Sequence, residues 1–238
     1  MKALIFAAGL GERMRPLTDA TPKPLLRAGG KPLIAWHLER LAAIGVREVV
    51  VNTSWLAAQF PATLGDGAAF GLRIRYSDEG PVPLETGGGM LQALAALGDA
   101  PFLAVNGDIW SDFDFARLPR EPAGDAHLVM VDNPAHHPQG DFVLRADGRL
   151  DADGDTRLTF SGIGLYRPRL LQGWQAVIGD APGDAPGADA TPPRFRLAPL
   201  LRAAMRRGAA TGEHHAGAWT DVGTPERLRL LDEVLRAG

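Results

Sequence analysis

Two glycines and two cationic side chains lie close together near the amino terminus. Gly9 and Gly11 directly follow the apolar run 3–8, then comes Arg13, and Lys23 stands between two prolines. Glycine lets an anion approach backbone N–H groups, and guanidinium and ammonium groups supply positive charge, so this pattern suits a polyphosphate. A Gly-x-Gly pair is also typical of an ordinary turn, and the glycines alone do not decide between the two interpretations.

Two aspartates, far apart in the sequence, each end an apolar segment. Asp108 follows the run 102–105 through an Asn-Gly pair, and Asp221 lies in the segment Trp-Thr-Asp-Val-Gly. Ligands of open α/β sheets bind at the carboxyl ends of the strands, and carboxylates there suit Mg²⁺, which prefers oxygen ligands and phosphate partners. The alternative is structural, because aspartate also caps turns.

A third polar segment combines acidic and glycine residues before a predicted helix. Glu79 precedes a proline-rich turn, and Glu85 and Thr86 lead into three successive glycines. Glycines at a helix start leave backbone N–H groups open to a ligand. A flexible turn without a ligand explains the same pattern, and both interpretations stay open.

The elements that must position these residues alternate along the chain. Apolar runs at 3–8 and 102–105 and the three valines within 47–52 predict buried strands, and the alternating pattern at 72–76 predicts a further strand. The 3.6-residue pattern after Pro32 predicts a helix that Gly45 ends. This alternation predicts an α/β fold, a Rossmann-like, mostly parallel mixed sheet with helices on both faces. Short segments after residue 127 predict antiparallel additions. We expect one domain over 1–238, with a low-complexity surface insertion at 177–193.

Composition limits the classes of partner. The 238 residues include 25 basic and 28 acidic side chains, a net charge of −3, and neither end is a basic block, which argues against nucleic-acid and membrane partners. There is no cysteine, so disulfides and thiol catalysis are excluded. No apolar run approaches the ~18 residues that a membrane span needs. The adjacent pair His136 and His137 lacks the spacing of a zinc site, and we predict a surface loop there.

The amino-terminal string A-A-G-x-G-x-R-M-x-P-L-T, followed by T-P-K-P-L, resembles the signature of the sugar-1-phosphate nucleotidyltransferases. The resemblance implies the nucleotide-diphospho-sugar transferase fold, with Arg13 and Lys23 in catalytic roles: Arg13 on the departing pyrophosphate and Lys23 on the phosphates that react. The segment at 84–88 resembles the L-G-T-A-G segment of the family, but Glu85 and Gly87 depart from that pattern. The candidate nucleotide-binding residues are Ala8, Gly9, Gly11, Glu12, Arg13, Lys23, Glu79, Glu85, Thr86 and Gly87.

The resemblance also implies a metal and a sugar site. The family's two aspartates in N-G-D and W-x-D-x-G-T-P bind the metal, which here implies Mg²⁺ on Asp108 and Asp221. The candidate sugar-phosphate contacts are Asn106, Asp141 and Ser161. Ser161 stands where family members often have asparagine, and the Glu-Lys-Pro motif that many of them use for the sugar does not occur.

Several further segments narrow the expected reaction: PLETGGG, VNGDIW, VDNPAHHPQGDF, TFSGI and WTDVGT. Together they resemble family members that transfer UMP from UTP to N-acetyl-α-D-muramate 1-phosphate in peptidoglycan recycling. We therefore expect a cytoplasmic enzyme that acts on UTP and a sugar 1-phosphate, as a monomer or small homo-oligomer. Two alternatives stay open: guanylyl transfer to mannose 1-phosphate or another sugar 1-phosphate, and a non-catalytic subunit that binds sugar nucleotides.

Overall fold

The computed structural model describes residues 1–179, 183 and 187–237. The predicted insertion at 177–193 therefore lies partly outside the described residues. The chain forms two compact units, each assembled from separate segments. Unit 1 contains Met1–Pro83, Val105–Ala116 and Ala218–Gly238, and unit 2 contains Leu84–Ala104 and Arg117–Gly217. The expectation of a single domain stays a prediction.

Strands and helices alternate as the sequence indicates. The strands are β1 (Lys2–Phe6), β2 (Arg27–Ala28), β3 (Lys31–Pro32), β4 (Glu48–Thr53), β5 (Arg73–Asp78), β6 (Phe102–Asn106), β7 (Ile109–Ser111), β8 (Ala126–Val131), β9 (Val143–Leu144), β10 (Leu150–Asp151), β11 (Thr159–Tyr166), β12 (Ala210–His215) and β13 (Trp219–Asp221). The helices are α1 (Leu17–Ala20), α2 (Leu33–Ala43), α3 (Gln59–Leu64), α4 (Glu85–Leu97), α5 (Trp174–Gly179), α6 (Ala198–Arg206) and α7 (Pro225–Ala237).

The main sheet has seven strands in the order β12-β8-β11-β6-β1-β4-β5. The pairs β1–β4, β4–β5 and β8–β12 are parallel, whereas β11 runs antiparallel to β8. Short antiparallel pairs join β2 to β3, β7 to β13 and β9 to β10. These findings confirm the predicted α/β class with a mostly parallel mixed sheet and short antiparallel additions.

Unit 1 is organised around β1, in which Ala3, Leu4 and Ile5 are completely buried. Its neighbour β4 runs parallel with Ala3 opposite Val49, so two apolar runs that are separated in the sequence by α2 become adjacent in the sheet. The helix α2 buries Ile34 and Leu38 and ends before Gly45, which has the positive φ of +86° that favours glycine. Both the strand and the helix were predicted from the apolar pattern.

One predicted helix in unit 1 is shorter than expected. The apolar pattern predicts a helix from Trp55 to Leu64, but α3 begins only at Gln59. Leu56 has a left-handed φ of +52°, and a right-handed helix cannot pass through that conformation. The indole N–H of Trp55 instead donates to the carbonyl of Thr18 at 2.8 Å, which anchors this turn on the amino-terminal segment.

The last helix of unit 1, α7, has a side-chain cap at its start and an apolar face. The hydroxyl of Thr224 accepts a hydrogen bond from the N–H of Arg227 at 3.3 Å, which satisfies one of the first N–H groups of the helix. Leu231 is buried, and Leu228 and Leu235 pack against the same cluster. The other buried members of that cluster are Met14, Leu26, Ala28, Leu33 and Val222.

Unit 2 contains the hairpin and the glycine-rich helix that the sequence predicts. The hairpin β9–β10 turns at Gly148, whose φ is +81°, and the N–H of Gly148 donates to the carbonyl of Arg145. The helix α4 begins at Glu85, so the three glycines lie in its first turns. Among the described residues, no helix is both long and apolar enough to cross a bilayer.

Candidate active site

The glycine loop of unit 1 leaves β1 and turns back on itself. Gly11 has a φ of +66°, and a Cβ at this position would lie 2.8 Å from the methyl group of Thr18. The carbonyl of Gly11 accepts hydrogen bonds from the hydroxyl of Thr18 and the N–H of Met14, both at 2.8 Å. Around Gly9, by contrast, a Cβ would meet nothing within 4 Å. Gly11 is therefore needed for the shape of the loop, and Gly9 leaves open space beside it.

Of the other loop residues, Ala8 is buried, whereas Glu12 and Arg13 are exposed. Within the part of the chain that the structure describes, the Arg13 guanidinium has no acidic side chain within ion-pair distance. Its charge is therefore available to a polyphosphate at the loop.

Lys23 brings a positive charge to the end of β6. Its side chain is 9% exposed, and its ammonium group donates to Asp108 Oδ2 at 2.6 Å. The side chain of Asp108 is 40% exposed, so the pair has one buried cation and one carboxylate that is accessible to solvent. Because a buried ammonium is stable only with an anionic or polar partner, Lys23 requires such a partner at this position.

Asp108 and Asp221 lie at the same end of one antiparallel strand pair in unit 1: Asp108 immediately precedes β7, and Asp221 is the last residue of β13. In the antiparallel pair β7–β13, Ile109 is opposite Asp221, and the N–H of Val222 donates to the carbonyl of Asp108 at 2.8 Å. Asn106 ends β6 just before the turn, and its side chain is half-buried. The two predicted metal ligands, distant in the sequence, are therefore joined through their main chains.

Sequence reasoning missed Arg227, whose guanidinium donates to Asp221 Oδ1. Both side chains are largely buried, with 20% and 25% of their surface exposed. A Cβ on Gly223 would lie 2.4 Å from the Arg227 guanidinium, so the glycine between them leaves room for the pair. The signal available in the sequence was weak: a basic residue in the first turn of the helix that follows the aspartate.

His37 of α2 is buried close to β7, at 1% exposed. Its Nε2 lies 2.9 Å from the carbonyl oxygen of Ile109, an arrangement that requires a proton on Nε2. Nδ1 is buried, and no hydrogen-bond partner is present for it among the described residues. Burial lowers the pKa of His37 to about 4, with a further lowering from Arg40, so the ring is neutral at neutral pH. The apolar spacing of α2 could have placed this residue on the buried face.

Glu79 is held by a buried amide that the sequence analysis did not single out. Asn52 Nδ2 donates to Glu79 Oε1 at 2.6 Å, and Asn52 Oδ1 accepts from the N–H of Ala7 at 2.6 Å. Asn52 is 2% exposed and Glu79 is 7% exposed. The signal was present in the sequence, since Asn52 interrupts an apolar strand at its carboxyl end.

In unit 2, Glu85, Thr86 and Gly87 form the first turn of α4. Glu85 has a φ of +62°, which is uncommon for a residue with a side chain, and its carboxylate pairs with Arg194 at 3.3 Å. The hydroxyl of Thr86 accepts from the N–H of Leu197 at 3.0 Å. These polar groups have partners in the segment that precedes α6.

The glycines of α4 allow this segment to pack closely. The N–H groups of Gly87 and Gly88 both donate to the carbonyl of Phe195, at 2.9 and 3.1 Å. A Cβ on Gly87 would lie 2.5 Å from the ring of Phe195, and one on Gly88 would lie 2.3 Å from the carbonyl of Pro193. The three-glycine run therefore has a packing role within unit 2.

Asp141 and Ser161, the predicted sugar contacts of unit 2, are bonded to their own surroundings. Asp141 accepts from the N–H of Phe160 at 2.8 Å and lies 3.1 Å from Nε2 of His137. Ser161 is 1% exposed, and its hydroxyl accepts from the N–H of Ile163 at 3.1 Å. The structure brings Lys23 to Asp108 and pairs the strand after Asp108 with the strand that ends at Asp221, but it gives Asp141 and Ser161 internal partners.

The donor set near Asp108 fits a hard cation. Asp108, in the turn before β7, and Asp221, at the end of β13, supply carboxylate oxygens, the ligand type that Mg²⁺ prefers. In the described parts of the chain, no three acidic, histidine or cysteine side chains cluster closely enough to hold a metal ion together. Two protein carboxylates, with phosphate oxygens and water in the other positions, are a usual Mg²⁺ arrangement in phosphoryl-transfer enzymes.

A profile for nucleotidyl transferases matches residues 2–144, more than half of the chain. The chain belongs to the nucleotidyl transferase family. This family acts on a nucleotide and a sugar phosphate and generally uses a divalent metal. The part of the chain that matches the profile contains the glycine loop, Lys23, Glu79 and Asp108.

Two relatives match almost the whole chain. An N-acetylmuramate α-1-phosphate uridylyltransferase from Neisseria meningitidis is 49% identical, with 96% of each protein covered. The enzyme of the same name from Caulobacter vibrioides is 36% identical over 94% of this chain and 92% of the relative. A crystal structure from Bacillus anthracis, described as a glucose-1-phosphate thymidylyltransferase, matches with a TM-score of 0.79 at 19% identity, covering 99% of this chain and 95% of that one. At that identity the structural match supports the fold alone.

Proposed function

We propose that this nucleotidyltransferase transfers UMP from UTP to N-acetyl-α-D-muramate 1-phosphate, giving UDP-N-acetylmuramate and pyrophosphate, in peptidoglycan recycling. The observation that carries the proposal is the juxtaposition of Asp108, Asp221 and Lys23 in a chain with such extensive identity to uridylyltransferases of this specificity. We further propose Mg²⁺ as the metal, with Asp108 and Asp221 as its protein ligands.

The reaction is an in-line substitution at phosphorus. An oxygen of the sugar phosphate forms a bond to the α-phosphorus of UTP, and the bond from that phosphorus to the bridging oxygen of the β-phosphate breaks. Because the attacking oxygen is already anionic, the reaction needs no general base. The protein must align two anions and reduce their repulsion, which is catalysis by positioning and electrostatics. Bound Mg²⁺ would supply charge neutralisation at the phosphate oxygens.

Each cationic residue has a separate part in this proposal. Lys23 lies beside Asp108 and would bind the α-phosphate and the incoming sugar phosphate. Arg13 is exposed on the glycine loop and would bind the departing pyrophosphate. The loop N–H groups around Gly9 and Gly11, together with Ala8 and Glu12, would enclose the triphosphate. Glu79 would contact the base.

The remaining contacts are proposed from the family pattern. Glu85, Thr86 and Gly87 would lie at the base, and Asn106, Asp141 and Ser161 at the sugar phosphate. A carboxylate-bearing sugar fits a chain without the Glu-Lys-Pro motif, because a glutamate near the sugar 3-position would repel the lactyl group. We also propose a cytoplasmic location, where UTP is available, and a monomer or small homo-oligomer without nucleic-acid or membrane partners.

Pyrophosphate release tests the reaction directly. UTP with N-acetylmuramate 1-phosphate is expected to give the highest kcat/KM, compared with the 1-phosphates of N-acetylglucosamine, glucose and mannose. The proposal is wrong if glucose or mannose 1-phosphate is the best acceptor. Omission of Mg²⁺, with chelator present, is expected to abolish turnover.

Guanylyl transfer to mannose 1-phosphate is the second candidate. A mannose-1-phosphate guanylyltransferase from Mycobacterium tuberculosis is 41% identical, but it matches only 54% of this chain and 36% of its own length. UTP and GTP compared at equal concentration distinguish the two candidates. A non-catalytic binding subunit is a poorer proposal, because Arg13, Lys23, Asp108 and Asp221 are all present. Absence of pyrophosphate release with every pair of substrates would favour that subunit.

A further inference from the structure

Three parallel strand ends of unit 1 meet at one buried side chain. Asn52 lies in β4 opposite Phe6 of β1 and Ser77 of β5. Its amide reaches the N–H of Ala7 on one side and the carboxylate of Glu79 on the other, each at 2.6 Å. Ala7 is the first residue after β1, before the glycine loop, and Glu79 is the first residue after β5.

The partners fix the orientation of this amide. The N–H of Ala7 is only a donor, so it must face Oδ1, and Nδ2 must face Glu79. Glu79 accepts from Asn52 Nδ2, and its main-chain N–H donates to the carbonyl of Thr53 at 2.8 Å. Both ends of the acidic residue are thereby attached to β4.

We propose that Asn52 is a positioning residue, which holds the Glu79 carboxylate in place for the nucleobase and couples it to the first peptide of the phosphate loop. The proposal rests on the proposed function, in which Glu79 contacts the base. A shift of Asn52 would move the base contact and the entry of the glycine loop together. The amide therefore makes the spacing between base and phosphate recognition a fixed property of unit 1.

A purely structural role would have a different consequence. Asn52 would then serve only to satisfy the buried N–H of Ala7, and any side-chain acceptor of similar size would be sufficient. The substitution Asn52→Asp separates the two roles, since an aspartate oxygen still accepts from Ala7 but cannot donate to Glu79. Two carboxylates would then face each other where an amide and a carboxylate now bind.

The test measures binding of UTP with Mg²⁺ by calorimetry and, separately, the KM values for UTP and the sugar 1-phosphate. Asn52→Asp is expected to weaken UTP binding about 10- to 100-fold, the size of a lost hydrogen bond to a charged group. The KM for the sugar 1-phosphate is expected to change less than threefold or so on the same scale. The double variant Asn52→Asp with Glu79→Gln restores a donor and acceptor pair of reversed polarity, and it should recover most of the UTP affinity.

Glu79→Ala provides a second approach if Asn52→Asp does not fold. This variant keeps the bond between Asn52 and Ala7, and it should lose UTP affinity to a similar degree. The inference is overturned if Asn52→Asp or Glu79→Ala binds UTP as tightly as the unchanged protein, or if the double variant gives no recovery. Direct UTP binding is measured without the acceptor, so failure of the N-acetylmuramate assignment would leave this result interpretable.

Discussion

The phosphate candidates of unit 1 and the sugar candidates of unit 2 differ in what their polar atoms contact. In unit 1, Lys23 and Asp108 pair across 85 positions of the chain, and Asp221 pairs with Arg227 on the next helix, so charged groups contact charged groups. In unit 2, Asp141 and Ser161 each accept a hydrogen bond from main-chain N–H groups. In unit 1, a phosphate or a metal ion can replace one partner of an ion pair. In unit 2, the hydrogen bonds of Asp141 and Ser161 instead stabilise the local backbone.

The comparison indicates why binding residues are easier to predict from the sequence in unit 1 than in unit 2. Phosphate and metal binding need particular charged types at fixed positions, and these appear as motifs. Sugar recognition uses hydroxyl, amide and backbone groups, which are also the ordinary means of stabilising loops and strands. The four predictions below test this difference, in order of expected size.

Removal of either proposed metal ligand should have the largest effect. Asp108→Asn and Asp221→Asn are each expected to lower kcat/KM at least about 100-fold, because each removes an anionic oxygen from the metal and phosphate site. Pyrophosphate release measures the rate, and Mn²⁺ titration followed by electron paramagnetic resonance measures metal binding independently. Asp114→Asn is the matched control, since Asp114 is exposed and caps a nearby turn. Equal losses in Asp114→Asn and the two ligand variants would contradict the assignment.

Acid should destabilise the protein through His37. Its pKa is about 4 in the fold and about 6.5 in an unfolded chain, so only the unfolded chain binds a proton between these values. The free energy of unfolding is therefore expected to fall as the pH decreases from 6.5 to 4, by about 3 kcal/mol in total from this residue. Urea denaturation at several pH values, compared with His37→Gln, isolates this contribution. An identical pH dependence in both proteins would exclude His37 as the cause.

Loss of Arg227 should weaken the metal site without removing a ligand. Arg227→Gln is expected to raise the Mg²⁺ concentration for half-maximal rate about tenfold, because Asp221 loses the group that orients it. Mn²⁺ binding should weaken in parallel. Arg229→Gln is the control on the same helix, as Arg229 pairs with the exposed Glu233. If Arg227→Gln and Arg229→Gln change the Mg²⁺ requirement equally, the cause is the loss of one positive charge and not the contact with Asp221.

Asp141 should contribute to stability more than to catalysis. Asp141→Ala removes the acceptor of the Phe160 N–H and the partner of His137, and we expect a loss of about 1–2 kcal/mol in the free energy of unfolding. Urea denaturation measures this loss. Asp141→Asn retains an acceptor for the Phe160 N–H, and its free energy of unfolding should be close to that of the unchanged protein. A large increase in the KM for the sugar phosphate at full stability would instead support the predicted sugar contact.

Much of the fold followed from local patterns. The apolar run of β1 and the helix after Pro32 depend on residues close in the sequence, and both were predicted. The start of α3 was not, because the left-handed backbone of Leu56 has no signature in an apolar pattern. A residue other than glycine in that conformation is maintained by tertiary contacts.

The site was predictable where a motif specifies charge. Lys23, Asp108 and Asp221 were identified from motifs, and the structure brings Lys23 to Asp108. Asn52 and Arg227 were missed because their partners are 27 and 6 positions away and lie on other elements. Pairing of side chains across a sheet or turn depends on the register, which the sequence alone does not specify.

The main-chain bond from Val222 to Asp108 has a consequence for synthesis of the protein on the ribosome. Domains begin to fold from the amino-terminal side during translation, and the early strands β1, β4 and β5 are complete long before residue 222 emerges. A nascent or prematurely terminated chain that ends before residue 221 can therefore contain these strands but not the pairing of β13 with β7. If Asp108 and Asp221 bind the metal as proposed, such a fragment would lack one of the two ligands and would be catalytically inert.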